Sequence, residues 1–373
     1  MSSARPRRTT SWSSTRKTVN IRAPPGAFDP ILRPADSYDL RTRPSQDRVA
    51  DTGTSGPTRV RLTPKRWGDA NVFGGATVDG AQSESPIVVG VDGSATSYAA
   101  VSWAAREARY HRRRLHIVTA LGAPTPYGDG IRLPPSYFTD RDRAVHAHLT
   151  EATAIARTAL TDPDATEVTT EVLEGSARPV LIEVSKSARM MVLGSRGLTR
   201  LTAVLAGSVT TALATHAHCP VVVIRGQAGQ TSGTGAVVVG IDGSENSRSA
   251  LVVAFEEAAL RGSDIVAIHT WSPFALSTAF DDQLDLPWDQ VEVAERAVLS
   301  ESLAGSQERY PETAVSPTVV RGQAADELRE QSADMELLVV GSHGRGGFAG
   351  MLLGSTSTTL LHTATCPLMI VRT

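Results

Sequence analysis

The chain repeats itself, and no other feature constrains its folding as much. Pro86-Ile-Val-Val-Gly-Val-Asp-Gly-Ser94 returns 150 residues on as Ala236-Val-Val-Val-Gly-Ile-Asp-Gly-Ser244. Later landmarks return 147 residues on: Gly194 meets Gly341, and Cys219-Pro220 meets Cys366-Pro367. A period this long describes a whole domain rather than a solenoid unit, and 373 residues suit two domains of about 140 residues plus an extension. The mismatch in offset belongs in the variable middle of each copy, where a loop absorbs it. The chain divides into an extension (1–84), a first repeat (85–226), a Gly/Thr/Ser-rich linker (227–235) and a second repeat (236–373).

Residues 1–84 are rich in Arg, Ser, Thr and Pro without sustained apolar periodicity, and residues 1–22 carry Arg and Lys but no acid. Such a segment buries too little apolar surface to offset its ordering entropy, so disorder is expected. A flexible tail, an organelle-targeting presequence and a true start near Val72 or Val78 are three readings of it. The net charge of -2 carries no nucleic-acid footprint. No apolar run approaches the about 20 residues of a membrane span, and a cytoplasmic location is expected. Cys219 and Cys366 stand at equivalent places before a final apolar strand, each expected to be a small buried residue of its own domain.

Within each copy strand-like and helix-like patterns alternate. In the first, strands are expected at Ile87–Val91, Leu115–Leu121, Glu167–Leu173, Met190–Leu193 and Val221–Ile224. Helices are expected from Ser94 or Ser97 to Arg113, from about Thr139 to Leu160, over Ala177–Ser187 and over about Val204–Ala217. This order implies βαβ units: an α/β fold of two tandem flavodoxin- or Rossmann-like domains, each with a five-stranded parallel sheet and helices on both faces. Ligands of such sheets bind beyond the carboxyl ends of the strands, where strand order reverses.

At that edge each copy carries the same glycine pattern: Gly194-Ser-Arg-Gly197 with Gly207-Ser208, and Gly341-Ser-His-Gly344 with Gly354-Ser355. Glycines let backbone approach a phosphate, and a Gly-Ser at the next helix start presents N–H groups, a hydroxyl and the positive helix end. Arg196, or His343 in the second copy, lies inside the loop. Asp92 and Asp242 end the first strands, where a carboxylate accepts ribose hydroxyls or holds Mg²⁺; Asp-Gly-Ser also suits an Asx turn or a helix cap, and the roles coexist. His216, His218 and His362 read as helix-end or packing residues, and His111-Arg-Arg-Arg114 as a solvated helix end.

The pattern G-x2-G-x9-G-S, the opening strand with Asp-Gly-Ser and the Cys-Pro ending resemble the universal stress protein family in its ATP-binding branch, in the tandem form found in actinomycetes. The resemblance spans about Pro86 to Thr373. It implies ATP with its adenine against backbone at Gly90, Val91 and Ala120, and at Gly240, Ile241 and Thr270. It implies phosphates at Gly194, Ser195, Arg196, Gly197, Leu198, Thr199 and Arg200 with Gly207, Ser208 and Val209. In the second copy they fall at Gly341, Ser342, His343, Gly344, Arg345, Gly346 and Gly347 with Gly354, Ser355, Thr356 and Ser357. Thr199-Arg200 replaces the family-like Gly346-Gly347, and Thr356 stands where Val209 is the usual residue, so the sites are unequal. The family also pairs domains through the fifth-strand region, which implies an intrachain pseudo-dimer, with a further homodimer compatible.

Neither loop carries the Gly-Lys-Ser/Thr ending of a Walker motif, and no acid–base set is shared by the copies, so no catalytic residue is assigned. The expected function is an ATP-binding, stress-response regulatory protein with little or slow hydrolysis, whose partner is an unidentified regulatory protein. The alternatives are a nucleotide-dependent enzyme (adenylyl transfer or ATPase) and an interaction scaffold with an empty pocket.

Overall fold

Four-residue runs such as Val221-Val-Val-Ile224, buried along their whole length, belong inside a sheet covered on both faces. The computed structural model describes residues 85–122, 134–160, 162, 166–195, 206–226, 235–272, 288–345 and 352–372. The extension and most of the linker lie outside them. The first repeat runs β1 (Ile87–Gly90), α1 (Ala95–Tyr110), β2 (Leu115–Leu121), α2 (Pro135–Ala159), β3 (Val168–Glu174), α3 (Ala177–Val184), β4 (Met190–Gly194), α4 (Ser208–His216) and β5 (Val221–Ile224). The second runs β6 (Val237–Ile241), α5 (Glu245–Arg261), β7 (Ile265–Trp271), α6 (Trp288–Arg309), β8 (Val315–Arg321), α7 (Ala324–Gln331), β9 (Leu337–Gly341), α8 (Ser355–Thr363) and β10 (Leu368–Val371).

Among the described residues, ten strands form one sheet in the order β3-β2-β1-β4-β5-β10-β9-β6-β7-β8. Within each repeat every pairing is parallel and the order is the Rossmann one, reversing between β1 and β4 and between β6 and β9. The core splits by strand alternation. Ile87, Val89, Val222 and Val239 join a cluster with α1, α2, α5 and α6, while Val88, Val221, Val223 and Val238 face α3, α4, α7 and α8. Both clusters run unbroken through the two repeats. The helices α2 and α6 end at 159 and 309, and β3 and β8 begin at 168 and 315, so the three-residue difference sits in the connection between them.

Several boundaries move: α3 stops at Val184 rather than Ser187, and α4 begins at Ser208 rather than about Val204. The second helix begins at Pro135 rather than near Thr139, because a proline at the first helical position gives up an N–H that has no partner there anyway. The first ends at Tyr110, where Arg112 turns left-handed (φ 50°) and the Arg113 N–H returns to the Ala108 carbonyl. Gly262 (φ 65°) occupies that turn in the second repeat.

The repeats meet at β5 and β10, the antiparallel pair of the sheet. Val221 faces Ile370, Val222 faces Met369 and Val223 faces Leu368. These residues are mutual counterparts at the 147-residue offset, so the ladder has a local pseudo-twofold through Val222 and Met369. The twofold brings α1 against α5 and overturns the reading of His111 as part of a solvated helix end. Its ring is buried, with Nε2 3.0 Å from Glu107 Oε1 and 3.1 Å from Glu257 Oε1. Arg261, the counterpart of His111 at the 150-residue offset, reaches Glu107 at 2.5 Å and Glu257 as well. Glu107 with His111, and Glu257 with Arg261, are thus the same i, i+4 pair in two copies.

Around this centre the charges are inverted. Arg189 bonds Glu256 at 2.6 Å, and Glu336, the counterpart of Arg189, lies 3.4 Å from Arg261 and under the influence of Arg106, the counterpart of Glu256. Two copies of the first repeat would set Arg106 against Arg189, and two of the second Glu256 against Glu336. The junction is built for unlike repeats.

Burial alone would lower the His111 pKa, but hydrogen bonds to Glu107 and Glu257 outweigh it and raise it to about 9. A cation held above its unfolded value stabilises fully below the unfolded pKa of about 6.5 and is lost as pH rises towards 9. Stability of the full chain in urea is expected to fall over that window, and His111→Gln to flatten the fall. Arg261→Leu leaves two buried carboxylates without their guanidinium and is expected to cost about 3–5 kcal/mol, read from the same unfolding curves.

Candidate functional site

The reversal of strand order parts the loops after β1 and β4, and a cavity opens there in each repeat. That of the first, about 330 Å³, is lined by Gly90, Val91, Asp92, Ala120, Gly194, Gly207, Ser208 and Val209, joined by Ser97, Leu181 and Thr210. That of the second, about 500 Å³, is lined by Gly240, Ile241, Asp242, Thr270, Gly341, His343, Gly344, Arg345, Gly354, Ser355, Thr356 and Ser357. Both volumes fall in the range of small-molecule sites. Ser195 and Ser342 are buried behind the cavities rather than in their walls, and the Ser195 hydroxyl finds no partner among the described residues. Arg196, Gly197, Leu198, Thr199, Arg200, Gly346 and Gly347 lie outside the described residues.

The Asp-Gly-Ser turn is built alike in both copies. Asp92 Oδ1 accepts the Ser94 N–H at 3.0 Å, and Asp242 Oδ1 accepts that of Ser244 at 2.9 Å. Each serine then caps its helix, Ser94 Oγ accepting from the Ser97 N–H and Ser244 Oγ from the Ser247 N–H, both at 3.2 Å. The Asx turn and helix cap are therefore present, with the carboxylates still at the cavity wall. Burial works to raise the Asp242 pKa, but hydrogen bonds from Ser244, Arg345 and Ser247 outweigh it and hold the group below the usual carboxylate range. Asp242 stays an anion, able to accept hydroxyls or hold a cation.

The glycines divide into two physical classes. A Cβ on Gly194 would stand 2.7 Å from the Thr96 carbonyl carbon, and one on Gly341 2.9 Å from that of Asn246. These two are glycine because the first turn of α1 or α5 packs on the strand end. Gly344 differs, since its Cβ would collide with Asp242 Oδ2, the oxygen that also accepts the Arg345 N–H at 2.8 Å. The glycine loop of the second repeat is thus folded against the β6 carboxylate.

The N–H groups expected of the Gly-Ser pairs need a correction. Gly207 N–H is spent on the Ser195 carbonyl at 2.7 Å, and Gly354 N–H on that of Ser342 at 2.8 Å. The first bonds within α4 and α8 run from Thr211 to Gly207 and from Thr358 to Gly354. The N–H groups left without a helical acceptor are those of the first helical turn, at 208–210 and 355–357. The Ser357 hydroxyl donates to the Gly341 carbonyl at 2.7 Å, as Thr210 does to Gly194 at 2.9 Å, so both brace the helix to the strand. Of the histidines read as packing residues, His362 ends α8 and crosses the repeats, accepting the Ala206 N–H at 2.9 Å. Burial and then Arg225 lower its pKa, which keeps Nδ1 an acceptor.

Among the residues of the second cavity that sequence reading missed, three differ in kind from their counterparts in the first repeat. Trp271 and His269 stand where the first repeat has Leu121 and Thr119, and Glu295 projects from α6 to His269 Nε2 at 2.6 Å. The differences were visible in the aligned copies; their convergence was not, because Glu295 comes from a separate helix. Both Cys219 and Cys366 are buried thiols pushed up by burial, Cys219 to about 12. Among the described residues no helix is long and apolar enough to cross a membrane.

Gly243 holds φ +77°, and an added Cβ would also meet the Arg345 guanidinium. Gly243→Ala is expected to cost about 1–2 kcal/mol in urea unfolding from the left-handed backbone alone.

Comparison with known proteins places this geometry in a lineage. The model of the universal stress protein family matches residues 85–225 and again 234–372. A universal stress protein of Mycolicibacterium smegmatis is 42% identical over 300 residues, covering 78% of this chain and 98% of the relative. Universal stress protein Rv2623 of Mycobacterium tuberculosis is 37% identical over 289 residues, covering 77% and 96%. Among solved structures, a universal stress protein from Archaeoglobus fulgidus superposes with a TM-score of 0.56 at 16% identity, covering 77% of this chain and 98% of that one, which bears on the fold alone.

Proposed function

The chain belongs to the universal stress protein family in its tandem form, and from that premise we propose that it is an ATP-binding regulatory protein with one nucleotide site in each repeat. The observation that carries the reading is the coincidence, twice over, of a cavity at the strand-order switch, a helix start whose first N–H groups have no helical acceptor and a strand-end aspartate. In the second repeat the phosphates lie against Gly344, Arg345 and the first turn of α8, and the base lies at the other end of the cavity, by Ile241 and Thr270. Asp92 and Asp242 accept ribose hydroxyls or hold Mg²⁺, a role that suits the ionised state of Asp242. The positive helix end and the N–H groups stabilise the triphosphate electrostatically. ATP acts here as a bound signal, and its turnover is expected to be slow in a steady-state hydrolysis assay. The nucleotide state would then be read by a regulatory protein partner.

The test is to purify the full chain without added nucleotide, denature it and count the adenine nucleotide released. One nucleotide for each repeat is expected. Gly344→Ala, whose Cβ collides with the Asp242 carboxylate, is expected to remove the share of the second repeat. A wild-type chain that carries none, and takes up none from ATP with Mg²⁺, would overturn the reading.

A further inference from the structure

Resting on the ATP-site reading above, we infer that Glu295, held in place by His269, reads the exocyclic amino group of the base in the second repeat, a selectivity that the first repeat lacks. His269 is buried on β7, and its Nδ1 lies 2.7 Å from the Ile241 carbonyl. A carbonyl only accepts, so Nδ1 carries a hydrogen and donates it. Nε2 lies 2.6 Å from Glu295 Oε2, and to donate to an ionised carboxylate it carries a hydrogen as well, so the pair is an imidazolium–carboxylate one. The imidazole thus ties the β6 end, the β7 end and α6 together and fixes the carboxylate at the cavity wall, beside Thr270 and Trp271.

This is the end of the cavity away from the glycine loop. Oε2 is occupied by the imidazole, and Oε1 remains to meet a ligand. A carboxylate has acceptor sites and no donor, so it favours a base edge that donates and disfavours one that accepts. At position 6 a 6-amino purine donates, whereas a 6-oxo purine of the same shape accepts at O6 and donates only from the neighbouring N1. Leaving two acceptors face to face in a partly buried site is costly, which makes such sites strongly discriminating. Trp271 adds an aromatic surface to the same wall, its ring within 5.6 Å of the Arg321 guanidinium on the strand beside it.

The first repeat has none of these three side chains. Leu149 of α2 and Leu299 of α6 are both buried and correspond at the 150-residue offset, and at that offset Val145 stands in place of Glu295. Thr119 replaces His269 and Leu121 replaces Trp271. The acceptor, its anchor and the aromatic wall are therefore replaced together, and base selectivity differs between the two halves of one chain.

The experiment is equilibrium dialysis of labelled ATP on the full chain, competed with ATP or ITP. These nucleotides differ in the 6-amino or 6-oxo group and in the hydrogen that the 6-oxo base carries on N1. In wild type, one class of site is expected to prefer ATP by about tenfold or more, as good base-edge pairs do, and the other to show little preference. Glu295→Val is expected to bring the selective class down to the level of the other. Glu295→Gln, whose amide also donates, is expected to improve ITP while weakening ATP, an opposite movement that mere loss of packing does not produce. His269→Thr should lower the ratio with Glu295 intact. ATP bound in the usual amount with an ATP/ITP ratio unmoved by any of these variants, or both nucleotides weakened equally, would overturn this inference and leave the site reading standing. Failure of wild type to bind either nucleotide would overturn both.

Discussion

Everything in this molecule hangs on a short antiparallel ladder, Val221–Val223 against Leu368–Ile370. Each repeat ends its sheet on an apolar strand that would otherwise be an unpaired edge, and each covers the edge of the other. The consequence is a single ten-stranded sheet with two switch points in fixed relation. The ladder also dictates the packing around it. Equivalent residues pair about Val222 and Met369, so the helices α1 and α5 must meet, and with them the glutamates that both repeats carry there. Two buried carboxylates at one axis are tolerable only with cations beside them, and His111 and Arg261 supply these.

The same axis records divergence between the copies. Arg106 and Arg189 in the first repeat oppose Glu256 and Glu336 in the second, so attraction arises only between unlike halves. Such charge inversion contributes specificity more than strength, because it penalises the like pairing. The cavities diverge too: Trp271, His269 and Glu295 wall the second, and Leu121, Thr119 and Val145 hold the corresponding places in the first repeat. Duplication has left a common frame with two unlike sites, and the asymmetry at the axis keeps them in one assembly.

Much of this was legible from residues alone. The alternation of β-branched runs with alanine-rich helices announced the α/β fold, and the repeated Asp-Gly-Ser and glycine patterns located the edge where cavities open. The features that escaped depended on packing between distant segments. Gly194 and Gly341 looked like phosphate-loop residues, yet the Thr96 and Asn246 backbones explain them. The Gly207 and Gly354 N–H groups looked available until the Ser195 and Ser342 carbonyls proved to hold them. His111 sat in a basic run that reads as a solvated helix end; only the pseudo-twofold, which no local pattern encodes, buries it. Glu295 lay in an ordinary polar helix until the fold set it against His269.

Whether the paired switch-point cavities hold ATP is tested most directly by a crystal structure of the chain grown with ATP and Mg²⁺. Triphosphate density is expected against Gly344, Arg345 and the first turn of α8, with the base by Ile241 and Thr270 and an equivalent nucleotide in the first repeat. Both cavities empty at saturating ATP, or nucleotide bound elsewhere on the chain, would contradict it.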